Sequence, residues 1–515
     1  MAGREGAGVR RGERWLPRLA AILLLGLLLR VPGLTGPLFE GAAGKQAHTA
    51  MVARNLARGR CSWIRPMVDD VGRPGYFVKE LPLVPAVTSL LGRATGLPLA
   101  PTGRAIGAFA WLVGAALLAA IVRRGGTDRR ALLAAAWFVM APAAIAYSRA
   151  FMTDPSMVAA SLAALLLALR WAETPTTARA IATGAAAALA LLLKPHAALW
   201  LAPSIAIATS RLSSRESGGA RVPHAPLLAS LAAGVALAAA WYAHAASIHR
   251  AHPVPGAMVA SGWVDPSLWA RPELWSRIAR QLVEIVFTPA GLALAFVAVA
   301  PGRARFTRAE RALLAWGTGV VAQSALLGTR MFDDAARGTE YYQLPAVATA
   351  ALLVARGAER VAGLLGSGRL PRWVPAAIVL ATGISGLPTT RAIESPPAAY
   401  ATLPGLCERV RALVRPEESI LVVADRPGIV LWECDRRGTT LTPATAMGTA
   451  SSETRVAAAP DALWRTLESV DRVLLPFPEL APSSLREWLD REWQRVPEES
   501  IVLYAKRPAA AGARP

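Results

Sequence analysis

Three carboxylates, four cations and a pair of tyrosines stand at the edges of apolar runs, where a plain linker needs no such groups. Glu40 follows the first apolar run, Glu80 precedes the segment 81–96, and Asp154 opens a further run just after Arg149. A carboxylate so placed can take the proton of a hydroxyl group as that hydroxyl attacks an electrophile. Lys79, Arg149, Lys194 and Arg54 carry positive charge at the same borders, and such side chains complement a phosphate by charge-assisted hydrogen bonds. Lys194 follows "ALALLL" directly, so it reads either as a snorkelling anchor or as a clamp for a lipid phosphate at headgroup level. Tyr341 and Tyr342 open a late apolar run, where rings anchor a helix at a membrane interface or flank a sugar or isoprenoid chain. The stretch "LFEGAAGKQAHTAMVARNLARG" (38–59) gathers Glu40, Lys45, His48, Arg54 and Arg58.

The elements that must hold these groups are membrane helices. The chain has 515 residues, 54% of them hydrophobic, with a mean hydropathy of +0.36. Runs such as "LAAILLLGLLL" and "APLLASLAAGVALAAAWYA" approach the roughly 20 apolar residues that cross a bilayer core. The net charge of +21, from 56 Lys and Arg against 35 Asp and Glu, lies mostly in short clusters between apolar runs. Such clusters set topology, and no nucleic-acid partner is expected. Arg10, Arg11 and Arg14 precede the first run, and "LLLRVPGLTG" has no small-residue cleavage site, so that run is read as an uncleaved span.

Spans are placed near 17–34, 104–122, 131–148, 155–171, 178–193, 196–210, 225–246, 282–300, 310–328, 342–356 and 373–388. The arginines then sort. One loop holds Arg123, Arg124, Arg129 and Arg130, and another Arg211, Arg215 and Arg221. A third holds Arg303, Arg305, Arg308 and Arg311, and a fourth Arg356, Arg360, Arg369 and Arg372. With the N-terminus in the cytoplasm, all four face the cytoplasm. The parity requires that "LPLVPAVTSLLGRATG" (81–96), with Pro82, Pro85 and Arg93, does not cross, and it is read as a juxtamembrane or re-entrant helix. The expectation is a polytopic α-helical membrane protein of about eleven spans, with its C-terminus outside the cytoplasmic membrane. Residues 1–388 form the membrane domain, with a long first outer loop at 35–103. Residues 389–515 form a small outer α/β domain, because "SILVVAD", "RVLLPFP" and "SIVLYAKR" read as strands between helical patterns. The outer loops also receive Asp333 and Asp334.

The three cysteines form no CxxC. Cys407 and Cys434 could pair in an oxidising space, but unpaired structural cysteines are the plainer expectation. His244, His249 and His252 lack the i,i+4 spacing of a helical zinc pair, so no metal site is read there.

In their order, these motifs resemble the GT-C glycosyltransferases that use polyprenyl-phosphate sugars, the superfamily of protein O-mannosyltransferases and aminoarabinose transferases. "KQAHTAMVARNLARG" is similar to the "RQADTA–ARN" signature of bacterial members, and "YFVKELPLVPAVTSLLGRATG" to their "EFPLY" element. "YSRAFMTD" resembles their "SR–D", "LLLKP" their "LLKP", and "EYYQLP" their "HxYYxLP". The chain departs from the pattern at three places. Phe39-Glu40 stands where many relatives carry Asp-Glu, His48 where others have Asp, and Glu340 in place of His.

The resemblance implies transfer of a glycosyl group from a polyprenyl-phosphate sugar to a lipid, glycan or protein acceptor, at the outer face of a bacterial cytoplasmic membrane. Glu40, Glu80 and Asp154 compete for the role of base, Glu40 first. Lys79, Arg149 and Lys194 would hold the phosphate, with His48, Arg54, Glu340, Tyr341 and Tyr342 around the substrates. One displacement opposite the leaving phosphate inverts the anomeric centre. No metal or other cofactor is required, since three cations supply the charge. A transporter or lipid-linked oligosaccharide flippase is the competing reading. It would call for charged residues near the bilayer midplane and for repeat symmetry, and the sequence shows neither.

Overall fold

The structure is a computed structural model that describes residues 15–210, 224–253, 264–301, 305–331, 339–365, 371, 373–424, 426–441, 467, 469–498 and 501–507. Asp333, Asp334 and the arginines at 211, 215, 221, 303, 369 and 372 lie outside the described residues. The chain divides into two compact units. One comprises 1–36, 100–243 and 263–394, and the other 37–99, 244–262 and 395–515.

The first unit is helical, and each of the eleven expected segments falls on a helix. Five helices are long and apolar enough to cross a bilayer: Trp15–Gly33, Leu99–Arg123, Asp154–Glu173, Ala225–Ala251 and Val374–Glu394. Counting bent pairs as single spans raises the number to seven. The last turns of Ala225–Ala251 belong to the second unit. Polar residues start several of these helices. Thr127 and Thr176 accept the amides of Arg130 and Arg179, and Thr307 forms a reciprocal capping box with Glu310.

Prolines break two segments that the sequence reads as straight spans. Pro142 has no amide hydrogen to continue the ladder, and the chain bends by 58° between Asp128–Met140 and Pro142–Ser148. The segment expected at 282–300 is a π-helical stretch, Leu282–Phe287, that turns by 94° into Pro289–Val299. Thr288 at this corner has φ 60. Glycines allow the helices to approach closely. A Cβ on Gly319 would lie 2.3 Å from the Leu199 carbonyl oxygen, and one on Gly357 would lie 2.0 Å from that of Leu294. Small residues at such crossings are the usual packing device of membrane helices.

Residues of three of the four arginine-rich connections meet in this unit, the fourth (211–221) lying outside the described residues. Arg130 pairs with Glu310 and Glu359 (both 2.7 Å), Arg356 with Glu310 (3.0 Å), and Arg129 with Glu359 (3.2 Å). Arg124 pairs with Glu173. Glu310 is fully buried, a position a carboxylate occupies only when charged partners surround it.

The second unit contains a five-stranded sheet in the order β2-β1-β3-β5-β4, formed by β1 (Ile420–Val423), β2 (Gly438–Leu441), β3 (Arg472–Leu475), β4 (Trp493–Arg495) and β5 (Val502–Lys506). The strands expected from "SILVVAD", "RVLLPFP" and "SIVLYAKR" are β1, β3 and β5. β1 runs parallel to β2 and β3, and β5 antiparallel to β3 and β4. The two-residue alternation divides the core. Ile420 and Val422 pack with Cys407, Val410 and Ile429 on one face, and Leu421 and Val423 with Leu485 and Leu489 on the other. The first face also packs Phe39, Ala43, Ala47, Met51 and Val68, so the long first loop shares its core with the C-terminal segment. Cys407 and Cys434 are disulfide-bonded, contrary to the plainer expectation of free thiols. Their helices, Leu403–Leu413 and Pro427–Cys434, pack together and bring the Cα atoms within 4.4 Å.

Candidate active site

In the first unit, the loop ends that the sequence assigns to one membrane face converge. Asp154 begins the helix Asp154–Glu173, and Lys194 ends Thr177–Leu193. The two helices are antiparallel neighbours joined by a short turn, so the start of one lies beside the end of the other. Lys194 Nζ is 2.7 Å from Asp154 Oδ1, and these side chains are 6% and 2% exposed. Lys194 is therefore an internal ion-pair partner and not a snorkelling anchor. Its ammonium lies over the rings of Tyr341 (4.9 Å) and Tyr342 (5.4 Å), which stack on each other at 4.4 Å. Both tyrosines sit on the 3-10 turn Glu340–Ala346. Tyr147 touches Tyr341 edge-on, and its hydroxyl donates to Glu340 Oε2 at 3.0 Å. His196 approaches Tyr342 at 6.0 Å. Arg149 is buried and pairs with Glu394 at 3.1 Å. Asp154 Oδ2 is buried and lacks a hydrogen-bond partner among the described residues.

The remaining site residues lie in the second unit. Glu40 is half-buried ahead of the helix Ala43–Ala57. Glu80 is paired with Lys45 from that helix. Lys79 Nζ lies 4.3 Å over the Phe77 ring. His48 Nε2 is 2.7 Å from Asp70 Oδ2. Arg54 is engaged internally. It pairs with Asp69 at 2.8 Å and Asp435 at 2.9 Å, donates to the Trp432 carbonyl at 2.8 Å, and stacks on the Trp432 ring. Arg58 forms a two-pronged pair with Asp435, each contact 2.7 Å. Burial would push the Asp435 carboxyl up, but the Arg58 hydrogen bonds and the charges of Arg54, Arg58 and Arg60 outweigh it and hold the group below the usual range.

Residues 86–241 match the family model of dolichyl-phosphate-mannose-protein mannosyltransferases. No curated protein sequence matches the chain. Among solved structures, ArnT from Cupriavidus metallidurans in the apo state is similar with a TM-score of 0.61 at 12% identity, over 96% of this chain and 98% of that one. The same protein bound to undecaprenyl phosphate gives 0.58 at 13% identity, over 99% and 100%. The oligosaccharyltransferase AglB from Archaeoglobus fulgidus, in complex with an inhibitory peptide and a dolichol-phosphate, gives 0.52 at 13% identity, over 96% and 74%.

The fold is GT-C. The family match covers residues 86–241, whereas the likeness of fold extends over nearly the whole chain.

Three residues of the chain escaped the sequence reading. Asp69 and Asp70, adjacent in "MVDDVG", are both buried. Asp69 receives Arg54, Asn55 and Arg437, while Asp70 receives His48. A doubled acid inside a short apolar stretch is a signal that the sequence did carry. Glu394, the partner of Arg149, has no comparable signal, because it is a single acid at a helix end.

Chemically, the first unit offers fixed cations and stacked rings, and the second offers carboxylates and an imidazole. Among the described residues, no group of three or more His, Cys, Asp or Glu is gathered in a metal-binding arrangement.

Proposed function

We propose that the protein transfers a glycosyl group from a polyprenyl-phosphate sugar to a lipid, glycan or protein acceptor at the outer face of the cytoplasmic membrane. The observation that carries this reading is the buried Lys194–Asp154 pair beneath the stacked Tyr341 and Tyr342, in a chain of GT-C fold. A preorganised cation in a site of low polarity stabilises the charge that develops on a departing phosphate. Asp154 holds that cation in place, and Arg149 and Lys79 are the further phosphate contacts. Tyr341, Tyr342 and Glu340 border the sugar. An apolar cavity of about 360 Å³ lined by Leu282, Phe287, Leu314, Val321, Ala346 and Thr349 suits a segment of isoprenoid chain. Undecaprenyl phosphate in the ArnT complex supports a lipid-phosphate donor.

In the reaction, an acceptor oxygen attacks the anomeric carbon opposite the phosphate, so one displacement inverts that centre. Phosphate is a good leaving group and needs no separate acid. Lys79, Arg149 and Lys194 bring the charge that Mg²⁺ otherwise brings to phosphates. The acceptor proton must go to a base. Glu40, just past the first apolar run, is the first carboxylate to test, ahead of Glu80, which faces Lys45, and Asp154, which faces Lys194.

Two features support the outer face. Residues of three arginine-rich connections meet within the first unit, as loops on one side of a membrane can. The Cys407–Cys434 disulfide suits an oxidising compartment. The test is a gene deletion followed by analysis of the lipid-linked sugars. The sugar this enzyme consumes should accumulate, and purified wild-type protein in lipid vesicles should release polyprenyl phosphate from it. No accumulation and no release would overturn the reading.

A further inference from the structure

Three histidines near the end of the helix Ala225–Ala251 have no part in the scheme above. Within the second unit they hold one stretch of the first loop. His244 Nε2 donates to the Ile64 carbonyl at 2.8 Å, and His249 Nε2 to that of Val78 at 2.8 Å. The His252 ring lies 5.0 Å from that of Tyr76. Beside His244 the loop makes a tight turn. The Arg65 amide donates to the Ser62 carbonyl at 3.1 Å, so Trp63 and Ile64 occupy the two central positions. Trp63 is 58% exposed and Ile64 40%. A turn in water ordinarily carries Gly, Asn, Asp or Ser at its tip. A tryptophan beside an isoleucine there makes an apolar tip, the mark of an interaction surface.

The charges around the tip are of one sign. The stretch "RGRCSWIRP" (58–66) carries Arg58, Arg60 and Arg65 and no acid. Arg58 is taken up by Asp435, whereas Arg60 and Arg65 are exposed. Guanidinium groups so placed complement lipid phosphates by charge-assisted hydrogen bonds. The level of the tip in a bilayer follows from the helix that holds it. Counting from Ala225, the roughly 20 residues that cross a hydrocarbon core end near His244. His244 and the turn bonded to it therefore stand among the headgroups, where tryptophan is favoured. The same unit turns a second apolar face outward. On the helix Leu83–Thr95, Leu83, Val87, Leu90 and Leu91 share one exposed stripe, while Thr88 and Ser89 are buried. That polarity is the reverse of a helix on a water-facing surface.

We propose that the turn 60–65 docks on the membrane surface, with Trp63 and Ile64 inserted between headgroups and Arg60 and Arg65 bound to the phosphates of anionic lipids. The inference rests on the reading that Ala225–Ala251 crosses the bilayer, and it is independent of the reaction. The ring and the alkyl group exchange water for acyl chain, while the guanidinium groups stay in the headgroup layer. The first loop is thereby tied to the bilayer most firmly where anionic lipid is present.

The experiment uses full-length protein in vesicles of phosphatidylcholine alone, or of phosphatidylcholine and phosphatidylglycerol in equal parts. Cys61→Ser removes the free thiol, and Ser62→Cys places a reactive one beside the intact Trp63 and Ile64. That thiol is labelled with bimane, and the quencher is phosphatidylcholine with a nitroxide high on its acyl chain. The same label at Arg415→Cys, whose side chain is 79% exposed, is the solvent control. With phosphatidylglycerol present, the turn label should be quenched well above the control. Changing Arg60 and Arg65 together to Gln should remove roughly half of that quenching or more, since each arginine at an anionic surface strengthens attraction about fivefold. Omitting phosphatidylglycerol should do the same, and it alters no residue of the turn. Trp63→Ser combined with Ile64→Ser should abolish the excess over the control. Quenching no greater than the control would overturn the proposal, and so would quenching indifferent to both phosphatidylglycerol and the two arginines. A label shielded from the lipid quencher, to a degree that rises with the protein-to-lipid ratio, would assign the tip to contact with a second copy and overturn it too. Protein that does not enter vesicles at all would remove the crossing helix first, a result distinct from every quenching outcome.

Discussion

Replacing Asp154 with Asn should destabilise the protein far more than the loss of one surface charge would. Asp154 and Lys194 are 2% and 6% exposed, 2.7 Å apart, and neither reaches bulk water. Asp154→Asn preserves shape but leaves an ammonium buried without its counter-charge. Removing one member of a buried pair typically costs about 3–5 kcal/mol. The rings of Tyr341 and Tyr342, 4.9 and 5.4 Å from the ammonium, still attract it, an effect of about 0.5–2 kcal/mol that the variant keeps. The expected loss therefore lies at the lower end, about 3 kcal/mol. Lys194→Met in the same chain removes the orphaned charge and should recover most of it, because replacing a buried pair with apolar groups is often nearly neutral. The assay is unfolding of purified protein in mixed micelles titrated with SDS, comparing wild type, both single variants and the double variant. Coupling between the two sites should exceed 1 kcal/mol, well above the roughly 0.3–0.5 kcal/mol scatter of independent sites. If the two single effects simply add, the pair is not the buried unit described here, and the proposal that Asp154 holds Lys194 for the phosphate loses its basis.

Two further predictions concern topology and pH. Reporter fusions after Arg124 and Arg308 should report cytoplasm, and fusions after His252 and Arg415 the outside; a cytoplasmic signal at Arg415 would break the parity of eleven crossings. The Asp435 carboxyl is held below its usual range in the folded protein, so its stabilising effect is complete above the ordinary carboxylate range and is lost as pH falls through the folded value. Asp435→Asn, which suits the left-handed φ of 52 at this position, should lower stability by about 1 kcal/mol or less near pH 7, since the carboxylate is 36% exposed and screened. The difference from wild type should shrink as the pH is lowered, and a difference independent of pH would assign the effect to something other than the Arg54–Asp435–Arg58 contacts.

Much of the architecture was legible because membrane helices are written locally. An apolar run must satisfy its own backbone hydrogen bonds in lipid, so each of the eleven segments named from hydropathy is helical. The places where the sequence misled are those where one residue changes a helix without changing its hydropathy. Pro142 and Pro289 fold two apolar segments into corners of 58° and 94°, and an average over a window does not register a missing amide hydrogen. The strands β1, β3 and β5 were visible as short β-branched and apolar runs, whereas β2, "GTTL", and β4, "WQR", carry too little hydrophobic signal to stand out.

The site followed the same division. Lys194, Asp154, Tyr341 and Tyr342 were each marked by polarity at the border of an apolar run, and in the first unit they do meet. Arg54 was marked by the same rule, yet it is bound within the second unit by Asp69 and Asp435, residues 15 and 381 positions away in the chain. Local polarity shows that a charge must be answered, but only tertiary structure shows whether a substrate or a neighbouring side chain answers it. For His48 the partner was Asp70, 22 residues downstream, and no local pattern ties the two together.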